Sequence, residues 1–403
     1  MSKKIPGLFA LLAFLGLSLF LINCGTSSSR PAGVLYVLSQ GANNVGSYAI
    51  NLDNGKLSQI NTNAASDTTP SSILLDPSGK VAFVLNTGSN SITAYTTNSD
   101  GSLSSPTSTA LPVQHSVAMA RDAAGAFLFV VSQGSIPLPG VAPCPHPEPN
   151  TECPALSVFA IQSGSTSLTA AGDPIALNRV PTSVFPAAGP NGTLLYIASN
   201  QDLSGISDNT VSAFNVDGSG LATEQTNSPY TTASNPSSVL AVKTTPVGGT
   251  GGLFVYVTNV TTNNVNVYQA CTELNATCTA QDVTANNNTL LAVGSPVSVG
   301  LDPVAMTADP TNNFLYVVNH GSSTVSGFRI NPTTGVLSAL NPAAASTGAS
   351  PVAVTMHSSG KFLFVSNNAS SNVSGFNVST TNGALSTAIN VTSSAQPAGL
   401  VAK

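Results

Sequence analysis

The sequence has 403 residues and a formal net charge of −5, and only 7% of its residues are charged. Typical globular domains carry about a quarter charged residues, so surface polarity here must come from Ser, Thr and Asn. The small net negative charge gives no sign of a basic patch, which argues against a nucleic-acid partner.

Residues 1–24 have the pattern of a secretory signal. Lys3 and Lys4 precede an apolar run from Leu8 to Ile22, which is short for a transmembrane helix of about 20 residues. The run ends at Cys24 and resembles the lipobox of bacterial lipoproteins, whose cysteine becomes the lipidated N-terminus. Asn23 departs from that family, which prefers Gly, Ala or Ser there. Lipidation at Cys24, cleavage with release and an uncleaved anchor remain three alternatives.

The signal predicts export to the cell envelope. A lipidated chain would be anchored at the outer membrane or cell surface, and a released one would be periplasmic. Residues 25–32, which include Ser27 to Pro31, are predicted to be a flexible tether.

From residue 33 the chain repeats itself. An apolar strand rich in β-branched and aromatic residues occurs seven times, beginning at Val34, Val81, Phe127, Leu194, Phe254, Phe314 and Phe362. The strand that precedes it occurs only six times inside the chain, beginning at Pro70, Ser116, Pro181, Pro236, Pro303 and Pro351. The missing copy lies at the C-terminus, in 396–403.

This split repeat predicts an all-β, seven-bladed β-propeller over residues 33–403. Each blade has four strands, and the C-terminal strand pairs into the N-terminal blade, so that no first-strand edge stays open. An open solenoid is the alternative, but a solenoid gains nothing from a split repeat. Turn residues such as Asp76-Pro-Ser-Gly79 fit the connection between first and second strands.

Propeller geometry sorts the unusual residues onto one face. The position before each first strand should surround the central channel, and it is occupied by Thr69, His115, Val180, Asn235, Asp302, Ser350 and Gln396. Arg179 lies beside this ring, and His320 follows the second strand of blade 6. The insertion 133–154 and the loop 201–209 belong to the same face, where propeller ligands dock.

These positions give the candidate site. His115 and Arg179 are candidate catalytic residues, and Asp302, His320 and Asn235 are candidate ligand contacts. Loops hold polar residues anyway, so a purely structural role is the competing interpretation. His357 and Arg121 are expected to be structural. No metal site and no cofactor are predicted.

The cysteines support export. Apart from Cys24, the chain has Cys144, Cys153, Cys271 and Cys278. Two local disulfides, 144–153 and 271–278, are the simplest of the three possible pairings.

The repeats resemble the seven-bladed lactonase family, which includes 6-phosphogluconolactonase-like proteins, and the YVTN propeller repeats of exported proteins. The resemblance is carried by the stretch from Pro70 to Gly79, by Val325-Ser-Gly-Phe328 and by Tyr256-Val-Thr-Asn259. It implies the fold and a His before an early first strand, which His115 matches. It also implies an acidic residue after the next strand, but Val131 to Ser135 contains none.

Two classes of function therefore stay open. The first is a binding or interaction scaffold at the cell envelope, recognising a small molecule, a glycan or an envelope protein. The second is a hydrolase that opens a neutral lactone, with His115 as base and Arg179 steadying the oxyanion. The protein is expected to meet the membrane through its lipid anchor and to be a monomer. Whether it is an enzyme is undecided at the level of sequence.

Overall fold

A computed structural model describes residues 33–60, 63–134, 153–245, 251–272, 278–279, 283–284 and 287–403. The signal segment 1–24, the lipidation candidate Cys24 and the tether 25–32 lie outside the described residues. The described part of the chain contains strands and turns, and none of its elements is a helix long and apolar enough to cross a membrane.

The strands form seven antiparallel blades, numbered in chain order. Blade 1 comprises Val34–Ser39, Asn44–Ile50, the short segments Leu57–Gln59 and Ala64–Ala65, and the C-terminal strand Pro397–Ala402. Blade 2 comprises Pro70–Leu75, Val81–Asn86, Ser91–Thr97 and Leu103–Ala110. Blade 3 comprises Ser116–Arg121, Phe127–Ser132, Ala155–Ile161, Leu168–Ala170 and Ile175–Ala176.

The remaining blades follow the same plan. Blade 4 comprises Arg179–Gly189, Gly192–Asp202, Ser207–Val216, Ala222–Glu224 and Tyr230–Thr231. Blade 5 comprises Pro236–Lys243, Leu253–Asn259, Asn264–Ala270, Leu290–Ala292 and Val297–Ser298. Blade 6 comprises Pro303–Ala308, Phe314–Asn319, Thr324–Ile330 and Leu337–Ser346. Blade 7 comprises Pro351–Met356, Phe362–Asn367, Asn372–Asn377 and Ile389–Thr392. A separate small ribbon pairs Val283–Thr284 with Asn287–Asn288.

The C-terminus closes the ring, as the split repeat predicts. Tyr36 pairs with Val401 and Val37 with Leu400 in the first blade. Beyond the strand, the amide of Lys403 donates to the Val34 carbonyl at 2.8 Å. The first strands of neighbouring blades contact each other all the way around. The seven-bladed prediction is confirmed.

The hydrophobic core consists of layers between blades. The buried apolar residues fall into seven clusters, and each cluster joins second-strand and third-strand residues of two neighbouring blades. Leu35 and Phe364, both 0% exposed, belong to the layer that joins blade 7 to blade 1. A four-stranded sheet cannot bury both of its faces alone, and the ring supplies a neighbour for every face.

A glycine in the turn after the third strand locks each of several blades to the blade before it. Gly335 has φ of +72°, and a Cβ there would lie 2.3 Å from Phe254 of the preceding blade. The Tyr256 hydroxyl donates to the Gly335 carbonyl at 2.8 Å. Gly383 and Tyr316 repeat the same bond one blade later, at 2.7 Å. The recurring Gly of the Thr-Gly-Val-Leu pattern is therefore a packing requirement between blades.

The ring has two faces, which we name by their loops. The rim face carries the loops that enter each first strand and the loops between second and third strands. The turn face carries the loops between first and second strands and between third and fourth strands. At the turn face the amide of Gly79 donates to the Asp76 carbonyl at 2.9 Å, which closes the turn predicted from the sequence.

Blade 4 departs from the prediction in detail. Its first strand begins at Arg179, two residues before Pro181, and its second strand runs to Asp202. The expected loop 201–209 is therefore mostly a hairpin, because Val180 continues the sheet by pairing with Gln201. Residues 135–152 of the blade 3 insertion lie outside the described residues.

One of the two predicted disulfides is confirmed. Cys271 and Cys278 are joined, with their Cα atoms 5.4 Å apart. Cys153 is also disulfide-bonded, but Cys144 lies outside the described residues, so the 144–153 pairing stays a prediction.

Candidate functional site

The residues predicted to surround the channel share a backbone conformation. Six of the seven have positive φ between 52° and 62°, namely Thr69, His115, Asn235, Asp302, Ser350 and Gln396. The left-handed region is costly for most residues but tolerated by Asn and Asp. The backbone alone thus gives a reason for Asn235 and Asp302, independent of any ligand. Val180, the seventh position, is the one absorbed into the blade 4 sheet.

Each of these six residues is fixed through its main chain. Its carbonyl accepts the amide of the first residue after the second strand of the same blade, as when His320 donates to Asp302 at 2.9 Å and Gln133 to His115 at 2.9 Å. In several blades an Asn of the previous blade also accepts the entering amide, as Asn263 Oδ1 does for Asp302 at 2.8 Å. The rim is therefore a rigid frame held by backbone bonds.

His115 is oriented by one hydrogen bond and is otherwise exposed. Its Nδ1 lies 3.0 Å from the carbonyl oxygen of Gly134. A carbonyl can only accept, so Nδ1 carries the proton in this contact. In the neutral imidazole Nε2 then holds a lone pair, which is the arrangement that a general base needs.

Arg179 forms an ion pair that sequence reasoning did not identify. Its Nε donates to Asp208 Oδ2 at 2.6 Å, and both side chains are partly exposed, by 24% and 33%. The blade 4 hairpin creates this contact because it places Asp208, at the start of the third strand, within reach of the Arg179 side chain across the second strand. The guanidinium charge is therefore compensated before any ligand arrives.

One side chain links the loop beside His115 to the first strand of blade 4. Gln133, whose main chain binds His115, donates from Nε2 to the Pro181 carbonyl at 3.1 Å. Blade 3 and blade 4 are adjacent, so His115 and Arg179 lie on neighbouring sectors of the rim. This contact connects the backbones of the two blades and does not join the His115 and Arg179 side chains.

The other candidates occupy the next sectors. Asn200 Nδ2 donates to Asn235 Oδ1 at 3.1 Å, and the Asn235 amide donates to Asn209 Oδ1 at 2.7 Å. Asp302 is exposed and His320 is half-buried. Gly321 passes so close that a Cβ there would lie 2.5 Å from Asp302 Oδ2. Asp302 and His320 thus form a second sector of the rim on blade 6.

Asp67 is a further rim-face carboxylate that the sequence analysis missed. It accepts hydroxyls from Ser108 at 2.6 Å, Ser91 at 2.7 Å and Thr93 at 3.1 Å. The Ser108 bond is the main cause that lowers the pKa of Asp67, and burial opposes it. The three hydroxyls identify a structural link between the third and fourth strands of blade 2.

The Asn of the Tyr-Val-X-Asn pattern is likewise structural. Asn319 is 0% exposed, and its Nδ2 donates to Thr324 and Ser326 of the next strand at 3.0 and 2.9 Å. Its Oδ1 accepts the Gly300 amide at 3.1 Å. Asn86, Asn259 and Asn367 make similar bonds. This pattern specifies the blade and not the chemistry.

The described residues also contain a cavity away from this rim. It measures about 430 Å³ and is formed at the turn face of blade 4, between the hairpin at Pro190 and the turn at Asp217. It lies on the opposite side of the ring from His115, so it is not part of the predicted site. Within the part of the chain that the structure describes, no three His, Cys, Asp or Glu side chains come together as a metal site.

Comparisons with known proteins agree with the fold. The family model described as Lactonase, 7-bladed beta-propeller matches residues 28–134 and 249–401. The match includes His115, Asp302 and His320 but not Arg179 or Asn235. None of the curated proteins matches the chain.

Solved structures are similar at low sequence identity. A periplasmic gluconolactonase from Pseudomonas aeruginosa is 16% identical with a TM-score of 0.68, covering 91% of this chain and 98% of its own. A candidate 6-phosphogluconolactonase from Bacteroides fragilis is 15% identical with a TM-score of 0.69, covering 93% and 99%. A Lactobacillus plantarum protein is 14% identical with a TM-score of 0.68, covering 92% and 99%. At such identities these structures establish the fold alone. Because the family model matches more than half of the chain's length, the chain belongs to the seven-bladed β-propeller lactonase family.

Proposed function

We propose that this protein is an exported, lipid-anchored propeller that binds an uncharged or weakly charged ligand on its rim face. The single observation that carries the proposal is the ion pair that Arg179 forms. The one described cation of that face is already paired with Asp208, so strong recognition of an anion has little support there. Most of the other rim side chains are uncharged and polar, which suits hydroxyl-rich or amide-rich ligands.

Export has separate support. The confirmed disulfide 271–278 is typical of oxidising compartments outside the cytoplasm. The periplasmic location of a structural neighbour agrees with this placement. The lipobox-like sequence at Cys24 supplies the proposed anchor.

A second candidate function, lactone hydrolysis, is favoured by the geometry of His115. Its exposed Nε2 would accept a proton from water while the resulting hydroxide adds to the lactone carbonyl carbon. The ring C–O bond then breaks, and the leaving alkoxide takes the proton back from the imidazolium. Oxyanion stabilisation by Arg179 would use its Nη donors, because the Nε donor is bonded to Asp208.

One experiment separates the two. The full chain is offered neutral lactones such as δ-gluconolactone, together with uncharged sugars, and both binding and acid release are measured. Binding without turnover supports the scaffold. Turnover that falls at least about 100-fold in His115→Asn, but not in the turn-face control Lys361→Gln, supports the hydrolase. If the panel shows neither binding nor turnover, both functions are contradicted. Rapid hydrolysis of 6-phosphogluconolactone would contradict the preference for uncharged ligands.

A further inference from the structure

The cations of the ring are gathered on the face opposite to the candidate site. Of the 11 Lys and Arg residues, eight lie in the described residues, and only Arg179 belongs to the rim face. The other seven are at turn-face loops or at the strand ends that meet them, namely Lys56, Lys80, Arg121, Lys243, Arg329, Lys361 and Lys403. Arg121 and Lys403 are half-buried, and the other five are exposed.

The carboxylates do not follow the same distribution. Asp76, Asp122 and Asp309 are turn-face residues, but they are 2%, 3% and 6% exposed and accept amides of their own turns. Among the described residues, the acidic side chains of the turn-face loops that reach solvent are Asp53, Asp217 and the half-buried Asp100. Asp173 and Glu224 lie along outer strands.

The rim face has the opposite balance. In the described residues it carries Asp67, Asp202, Asp208 and Asp302 against Arg179 alone. In the described residues the rim face is therefore acidic. The turn face is close to neutral when its three buried Asp are counted, with seven cations against six carboxylates, but the charges that it exposes to solvent are mainly positive.

Apolar side chains are also exposed on the turn face. Leu52, Leu221 and Val336 occupy the turns after the third strands of blades 1, 4 and 6 and are 36%, 58% and 43% exposed. Basic residues combined with exposed Leu and Val are typical of surfaces that rest in the interface of an anionic membrane. The rim face also exposes Ile206 and Leu301. Carboxylates stand beside exposed apolar residues on both faces, since Leu52 adjoins Asp53 and the Leu221 amide donates to Asp217.

The point where the chain enters the ring is an independent observation. Gly33 precedes Val34, whose amide donates to the Lys403 carbonyl at 3.1 Å. This end of the first described strand belongs to the turn face, so residues 1–32, with their apolar run 8–22, join the ring on that side. Eight tether residues can span at most about 28 Å.

We propose that the turn face docks against the anionic surface of a phospholipid bilayer, which directs the rim face away from the membrane. The occupant is the phosphate-bearing headgroup layer, attracted by exposed Lys and Arg and contacted by the three apolar turns. The inference rests on the proposed lipid anchor only for how the chain is brought to the bilayer, because the charge distribution is a property of the ring itself.

The test uses the full chain with vesicles of phosphatidylcholine alone or mixed with phosphatidylglycerol. Association is expected to be at least about tenfold stronger with phosphatidylglycerol, because each Lys or Arg near an anionic surface adds attraction, and to weaken as salt is added. Amide hydrogen exchange of the bound protein should slow in residues 51–56, 76–80 and 357–361, but not in rim loops 87–90 and 368–371.

Variants of opposite sign provide the control. Lys56→Gln with Lys80→Gln and Lys361→Gln should reduce the preference for phosphatidylglycerol at least about tenfold, whereas Asp53→Asn with Asp217→Asn should increase it. Misfolding could cause the first result but not the second. Lys3, Lys4 and Arg30 are common to all variants and cancel in the comparison.

Protection of the rim loops, or equal protection of both faces, would overturn the proposal, as would a preference that ignores both sets of substitutions. Association with both kinds of vesicle without turn-face protection would refute docking while leaving the anchor intact. Turn-face protection in a chain whose Cys24 carries no lipid would show that docking does not depend on the anchor, and an unmodified Cys24 in the protein isolated from its own cells would refute the anchor while leaving docking intact.

Discussion

The two ends of a first strand are closed by different chemistry. At the turn end of blade 6, the buried side chain of Asp309 accepts the amides of Asn313 and Phe314 at 2.8 and 2.6 Å. At the rim end of the same strand, Asp302 closes the loop with its main-chain carbonyl, and its side chain stays exposed. The same residue type therefore maintains the fold at one end and is free for other uses at the other. Loops closed by backbone bonds leave their side chains available for binding.

The largest effect is expected from removing the C-terminal strand, because this strand closes the ring that holds both faces in place. Deleting 396–403 should abolish cooperative folding, because it exposes the edge of Val34–Ser39 and the apolar layer beside it. Thermal unfolding and size-exclusion chromatography would measure this. Lys403→Gln keeps the backbone pairing with Val34 and should melt near the wild-type temperature. A truncated chain with unchanged melting would contradict ring closure.

Replacing Asp by Asn at each end of the first strand of blade 6 tests the comparison directly. Asp309→Asn should lower the free energy of unfolding by about 1–3 kcal/mol, because an amide group would face the Thr311 donors inside a buried turn. Asp302→Asn makes the same chemical change at the rim of the same blade, where Asn suits positive φ. Its effect should stay within about 0.5 kcal/mol. Denaturant unfolding measures both, and equal losses would refute the distinction.

Blade 7 sharpens the comparison because His357 stands where other turns have Asp. The imidazole is 4% exposed, and its Nδ1 lies 2.8 Å from the Ser359 hydroxyl. Burial lowers the pKa of His357, and the Lys403 backbone opposes this shift. Lys403, whose backbone approaches the imidazole, is a charged residue beside it.

The sign of the pH effect follows from that direction. The unfolded chain titrates near pH 6.5 and the folded one below it, so the stabilisation is present above about pH 6.5 and is lost as pH falls toward the folded pKa. The melting temperature should fall more between pH 7 and 5 in the wild type than in His357→Asn. Identical pH profiles would show that His357 is not a source of acid sensitivity.

The smallest effect on stability is expected at His115. His115→Asn keeps a residue that tolerates φ of +56° and should change the free energy of unfolding by no more than about 0.5 kcal/mol. The same substitution removes the one rim imidazole among the described residues of blade 3 and should lower turnover at least about 100-fold if the site is hydrolytic. A large loss of stability would show that His115 has a structural role, as Asp309 has.

The sequence by itself determined the architecture of this protein. Seven second strands with six internal first strands require a ring closed by the C-terminus, because repeat number and strand alternation are local patterns that survive without coordinates. The turn residues at Asp76 and the pairing 271–278 were also predictable, since both join residues close in the chain.

Only the tertiary structure decided how the candidate residues are used. The pairing of Arg179 with Asp208 depends on a hairpin whose register could not be derived from the sequence. The amides of Asn235 and Asp302, two residues with positive φ, are held by Asn209 and Asn263 of the preceding blade. The segregation of the Lys and Arg residues to the turn face needed each strand's direction. These properties arise between blades, where residues distant in the chain meet, and a local sequence pattern carries no information about which atoms will be in contact.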